Sequence, residues 1–80
     1  MDIIYLNKFK DKAEVREVDT TNGKNYGGYR GKVYTLGNLE LFDTLMHYRF
    51  ERPKPNVKYL YGTIRVTKSE FITKIIKLVE

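Results

Sequence analysis

The sequence of 80 residues contains no cysteine, no tryptophan, one histidine and two prolines. Without cysteine, neither a disulfide framework nor a thiolate metal site can stabilise the chain. A single histidine without clustered carboxylates does not complete a metal site. No apolar run approaches the roughly 20 residues needed to cross a membrane. We therefore expect no metal, no cofactor and no membrane span.

The composition predicts one small globular domain covering residues 1–80. Hydrophobic residues make up 41% of the chain and charged residues 31%, and both classes are spread along it, which is typical of folded proteins. The first residues, "MDIIYLNKFK", lack the basic segment and cleavage site of a signal peptide. We therefore expect a cytoplasmic protein.

The first half of the chain predicts three strands. Its β-branched and aromatic residues favour a strand over 2–9, and period-two alternation favours a second strand over 13–19, paired with the first as a hairpin. Asn22-Gly23 suits the positive φ angles of a hairpin turn. A returning strand over 29–36 should follow, with Gly31 as a candidate bulge.

The second half predicts a helix, a strand and another helix. Asn38 can cap a helix over about 39–50, whose apolar residues recur at helical spacing. Alternation predicts a strand over 56–67. Thr67 and Glu70 have the spacing of a capping box, which predicts a helix from Lys68 to about Val79 with an apolar stripe.

The predicted order is therefore β-β-β-α-β-α. This order favours an α+β fold: a small two-layer domain with a mainly antiparallel sheet and two helices packed on one face. In the 56–67 strand, Leu60, Gly62, Ile64 and Val66 should face the core. The alternate residues Val57, Tyr59, Tyr61, Thr63 and Arg65 should then lie on the exposed face.

The net charge of +5 is concentrated in two segments without a carboxylate. Residues 20–36 contain three cations and residues 53–68 contain four. If the fold makes the two segments neighbours, they form a basic surface that attracts polyanions. If it separates them, the charge serves only solubility.

Catalysis is not expected from this sequence. His47, the only histidine, falls near the end of a predicted helix, where a surface or partly packed role is more common than that of a catalytic base. Glu17 and Asp19 share a strand face but are typical of solvated charge. The glycine-rich stretch 23–31 lacks the spacing of a phosphate-binding loop.

The main functional hypothesis is a non-enzymatic binding module. Single-stranded nucleic acid is bound by aromatic rings that stack on bases and by cations along the backbone. A basic, tyrosine-bearing sheet face would therefore engage nucleic acid or a nucleoprotein complex. The candidate stacking residues are Tyr29, Tyr59 and Tyr61, and the candidate phosphate contacts are Arg30, Lys32, Lys58 and Arg65; Lys58 has the strand parity of core-facing Leu60.

Several alternatives remain open at this stage. The tyrosines could instead pack against each other and against Lys and Arg stems on the outer sheet face. Tyrosine and arginine also suit an acidic protein partner. The composition resembles that of many phage or mobile-element products, so the alternative function is an inhibitor or adaptor that binds a host protein directly. A homo-oligomer through the predicted helices, the first of which has a wide apolar stripe, and a small enzyme are further alternatives.

Overall fold

In the part of the chain that the structure describes, five antiparallel strands form one sheet, and two helices pack together across one of its faces. This computed structural model describes residues 2–20, 28–47 and 52–79. The strands lie in the sheet in chain order, β1-β2-β3-β4-β5. The predicted α+β fold is confirmed. In chain order the elements are α1 (Asp2–Lys12), β1 (Glu14–Asp19), β2 (Gly28–Leu36), β3 (Leu39–His47), β4 (Lys54–Tyr61), β5 (Ile64–Val66) and α2 (Lys68–Val79).

The hydrophobic core lies between the helices and one end of the sheet. The rings of Phe9 on α1 and Phe71 on α2 meet edge to face, with centroids 5.1 Å apart at an interplanar angle of 77°. Leu39 and Leu41 on β3 and Ile75 on α2 complete the buried cluster. Full burial of one such side chain contributes about 1.5 to 3 kcal/mol to folding, so these five residues fix how the two layers pack.

Residues 2–9 belong to a helix, so the predicted first strand and its hairpin with 13–19 are wrong. Tyr5, Leu6 and Phe9 recur at helical spacing, and all three pack in or against the core. The Ala13 N–H donates to the Phe9 carbonyl at 2.9 Å, which is a helical bond at the end of α1. Packing of this stripe outweighs the weak strand preference of the two isoleucines.

Residues 39–47 form the central strand, so the predicted helix over 39–50 is wrong; residues 48–50 lie outside the described part. Gly37 has φ of 59°, and Leu36 pairs with Leu39 across a two-residue turn. A glycine with positive φ at the first turn position is typical of tight hairpins. Asn38 is therefore a turn residue and not a helix cap.

The predicted strand 56–67 is divided by a second tight turn. Gly62 has φ of 65°, and Tyr61 pairs with Ile64, so β4 and β5 form a hairpin. The turn changes which residues share a face. Tyr59 pairs with Val66, and both pack against the core, so the assignment of Tyr59 to an exposed face is wrong.

Three other predicted elements are confirmed. β1 and β2 match the strands predicted over 13–19 and 29–36, and they pair antiparallel; the proposed Asn22-Gly23 turn lies outside the described residues. α2 begins where the capping box predicted. The Glu70 N–H donates to Thr67 Oγ1 at 3.2 Å, while the Thr67 hydroxyl donates to the Glu70 carboxylate at 3.3 Å.

The pairing register defines two faces of the sheet. The helix-covered face carries the core residues, including Leu39, Leu41 and Tyr59. We call the opposite side the open face, because neither α1 nor α2 packs on it. Its strand residues are Glu14, Arg16, Val18, Tyr29, Gly31, Val33, Thr35, Glu40, Phe42, Thr44, Met46, Lys54, Asn56, Lys58, Leu60 and Arg65.

Gly31 lies in regular pairing and does not form the predicted bulge. It pairs with Val18 on one side and with Thr44 on the other, without a break in register. A Cβ atom at Gly31 would lie 2.4 Å from the Asp43 carbonyl oxygen and 2.7 Å from Thr44 Cα. The close approach of β2 to β3 therefore requires glycine at this position.

Candidate nucleic-acid interface

Three rows of cross-strand neighbours build the centre of the open face. The first row joins Tyr29, Met46 and Lys54, the second joins Val18, Gly31, Thr44 and Asn56, and the third joins Arg16, Val33, Phe42 and Lys58. Val33 and Thr44 are buried, with 1% and 3% of their surface exposed. The rows thus combine an apolar floor with cations at both sheet margins.

A small cavity lies in the middle of these rows. Its volume is about 120 Å³, and its lining residues come from four strands: Val18, Tyr29, Phe42, Thr44, Asn56 and Lys58. Gly31 lies between Val18 and Thr44 in the middle row and has no side chain. The Thr44 hydroxyl donates to the Asn56 carbonyl at 2.9 Å, so a hydrogen bond between β3 and β4 fixes the floor.

Positive charge predominates among the described strand residues of the open face. Its strand residues include four cations, Arg16, Lys54, Lys58 and Arg65, and two carboxylates, Glu14 and Glu40. Both carboxylates belong to the end row, which also contains Arg65; this row joins Glu14, Thr35, Glu40, Leu60 and Arg65. The three rows around the cavity therefore carry cations and no carboxylate.

The open face contains three of the seven residues predicted to bind. Tyr29 lines the cavity from β2 and Lys58 lines it from β4. Arg65 lies on the same face, because it pairs with Leu60. The two carboxylate-free segments are not adjacent strands, since β3 lies between β2 and β4. Tyr29 and Lys58 nevertheless reach one cavity across that single strand.

Tyr59 and Tyr61 lie on the helix-covered face. Tyr59 is half-buried, and its ring contacts that of Phe71. Tyr61 is 41% exposed, but Lys74 Nζ lies 3.9 Å from its ring centroid. One side of the Tyr61 ring therefore makes a cation–π contact, and the predicted grouping of both tyrosines with Arg65 is wrong.

Arg30 and Lys32 are exposed on the helix-covered face, beside carboxylates. Arg30 is the cross-strand partner of Asp19. Lys32 lies between Glu17 on β1 and Asp43 on β3. Opposite charges at paired positions attract each other and reduce the local positive potential. The segment 20–36 contains no carboxylate, but the strands on either side of β2 place carboxylates beside its cations.

Arg16, Phe42 and Asn56 are candidate site residues that the sequence analysis missed. Phe42 was assigned to the apolar stripe of a helix that does not form. A signal was available, because Gly37-Asn38 between "YTL" and "LEL" is a hairpin pattern. Arg16 was assigned only to an amphipathic strand, and no sequence pattern links it to Lys58, which lies three strands away on β4.

His47 is the last residue of β3 and not part of a helix. Within residues 2–20, 28–47 and 52–79, no group of three His, Asp or Glu side chains could hold a metal ion. Neither helix in the described part of the chain has the length and apolar character needed to cross a membrane.

Comparisons with known proteins add no functional assignment. The chain matches no family model, and no curated protein or solved structure is significantly similar to it.

Proposed function

We propose that the open face binds nucleic acid and that the protein acts as a non-enzymatic binding module. One observation carries this proposal: Tyr29 and Lys58 line one cavity, and the surrounding rows contain cations but no carboxylate. An aromatic ring next to cations is the combination that single-stranded nucleic acid requires.

Base stacking and phosphate contacts contribute to the binding affinity in different ways. Tyr29 is 36% exposed, so part of its ring can stack on a base, which contributes about 1 to 3 kcal/mol. Arg16, Lys58 and Arg65 would contact phosphates. Each phosphate that they neutralise releases counterions, which makes the affinity depend on salt. Three contacts give a slope of log K against log salt of about −2 on a single strand.

The experiment is a fluorescence-anisotropy titration of labelled single-stranded oligonucleotides. Raising the salt from about 50 to about 200 mM should weaken binding about 20-fold if three phosphates are contacted. The double variant Arg16→Ala/Lys58→Ala should weaken binding at low salt and reduce the slope to about −0.7. Circular dichroism of each variant verifies that the fold is retained.

A matched control is available on the other side of the sheet. Arg30→Ala/Lys32→Ala removes the same charge from the helix-covered face and should change the affinity less than the open-face pair. Equal losses from the two double variants would contradict the assignment to the open face. No binding at about 50 μM protein in low salt, within the usual non-specific range, would contradict nucleic-acid binding altogether.

The same titrations distinguish the alternative function, direct binding of a protein, from nucleic-acid binding. A direct protein partner is favoured if oligonucleotides do not bind but a purified, nuclease-treated partner protein does. The affinity for that partner should then fall in the Arg16→Ala/Lys58→Ala variant. That outcome would replace the proposal with an adaptor or inhibitor acting through the same face.

A further inference from the structure

We infer that the cavity on the open face receives the ring of one pyrimidine base, so that the protein prefers pyrimidine-rich single strands. This inference rests on the proposed function and specifies its ligand. It depends on the size of the cavity, on the chemistry of its walls and on the charge around it.

The size of the cavity is closer to that of one six-membered ring than to that of a fused pair of rings. Its volume is about 120 Å³. An apolar protein cavity of about 150 Å³ is large enough to bind benzene. A pyrimidine base is also a single six-membered ring, with substituents that make it somewhat larger than benzene, whereas the fused double ring of a purine is larger still. The cavity is open to the surface, so a purine could enter only in part and would bury less of its area.

The walls of the cavity suit a base more than an aliphatic ligand. Val18 and Phe42 provide apolar contact, and Tyr29 provides an aromatic wall. Asn56 is a lining residue whose side-chain amide can donate a hydrogen bond to a base, while Lys58 is reserved for phosphate contact. Pyrimidines present carbonyl oxygens at the ring edge, and these are acceptors for such donors. The Thr44 hydroxyl is already used in its bond to the Asn56 carbonyl.

The arrangement favours single strands over a duplex. A base inside a duplex is stacked and paired, so it must leave the stack before its ring can enter a cavity. An unpaired base requires less free energy to do so. Arg16 and Lys58 belong to the row beside the cavity, where they can contact the phosphates on either side of an inserted base.

The experiment compares labelled oligothymidylate, oligoadenylate and a mixed-sequence duplex of equal length at one low salt concentration. We expect oligothymidylate to bind about tenfold more tightly than oligoadenylate, which corresponds to the stacking contribution of one base. The duplex should bind more weakly than oligothymidylate.

Two variants change the cavity in opposite ways. Tyr29→Ala removes the aromatic wall, and Val18→Phe fills the space. Both should reduce the preference for oligothymidylate to less than about twofold, since one base would lose its stacking contribution. Tyr61→Ala is the matched control, because it removes a tyrosine of similar exposure, 41% against 36%, from the helix-covered face. This control should retain the preference.

The outcomes distinguish this inference from the proposed function. Equal, salt-sensitive binding of the three nucleic acids would overturn the inference and leave the proposed function in place. A preference for oligothymidylate that persists in the folded variants Tyr29→Ala and Val18→Phe would also overturn the inference. The preference would then arise from the properties of the oligonucleotides and not from the cavity. If no nucleic acid binds, the proposed function itself fails.

Discussion

Tyr59 on β4 packs against Phe71 on α2, with ring centroids 5.2 Å apart and an interplanar angle of 53°. The contact joins the sheet to the helix layer and extends the contact between Phe9 and Phe71. A tyrosine that its strand pattern assigned to an exposed surface therefore belongs to the margin of the hydrophobic core.

The first prediction concerns the role of Tyr59. Tyr59→Ala should lower the free energy of unfolding by about 2 to 3 kcal/mol, below the range for a fully buried aromatic, because the ring is half-buried. Chemical denaturation measures the change. Tyr59→Phe keeps the ring and should remain within about 1 kcal/mol of the natural protein. An unchanged stability together with a large loss of nucleic-acid affinity would show that Tyr59 is a binding residue instead.

The second prediction concerns the close approach of β2 and β3. Gly31→Ala should destabilise the protein by about 3 kcal/mol, because the new methyl group would meet the backbone of Asp43 and Thr44. Gly37→Ala is the control: its φ of 59° is unfavourable for alanine, but no atom beyond its two chain neighbours lies within 4 Å of the added carbon. We expect a loss of about 1 to 2 kcal/mol there. Similar thermal melts for the two variants would contradict the steric explanation.

The third prediction concerns the start of α2. Thr67→Ala removes the acceptor of the Glu70 N–H and should lower the stability by about 1 kcal/mol. Thr67→Ser retains a hydroxyl oxygen at the same position and should recover most of this loss. Urea denaturation of both variants provides the measurement, and equal stabilities of the alanine and serine variants would show that the cap contributes nothing.

The fourth prediction concerns the ion pair between Lys10 on α1 and Asp43 on β3. The two charged atoms lie 3.4 Å apart, and the side chains are 34% and 49% exposed. Solvent screens such a pair, so Asp43→Asn should change the free energy of unfolding by less than about 1 kcal/mol. A loss well above this value in urea denaturation would indicate that the pair holds α1 against the sheet.

Local signals predicted the elements whose structure depends on adjacent residues. The capping box at Thr67 and the apolar stripe that follows specify α2 within one segment of chain. The alternation in β1 likewise predicts a strand without reference to its partner. These patterns succeeded because the hydrogen bonds or the burial that they describe involve neighbours in sequence.

The segment 39–47 shows where local signals were insufficient. Its apolar residues satisfy helical spacing and strand alternation at once, so periodicity does not distinguish the two structures. Pairing with β2 and β4 on both sides decided the outcome. The error extended to the candidate site, because Phe42 lies on the open face only as a strand residue.

The distribution of charge along the sequence likewise did not predict which charges lie together in the fold. The segment 20–36 contains no carboxylate, yet the register places Glu17 and Asp43 beside Lys32. A sheet brings residues distant in sequence to about 5 Å from each other. The local potential therefore depends on strand order, which no single segment contains.

The sequence by itself determined an α+β domain without disulfides, the position of α2, two of the strands and an excess of positive charge. The tertiary structure decided the rest: the helix at residues 2–12, the central strand, the division of the last strand by Gly62 and the face on which each aromatic ring and cation lies. The physical reason is that side chains alternate between faces at every strand position, so each turn and each pairing register decides what lies together.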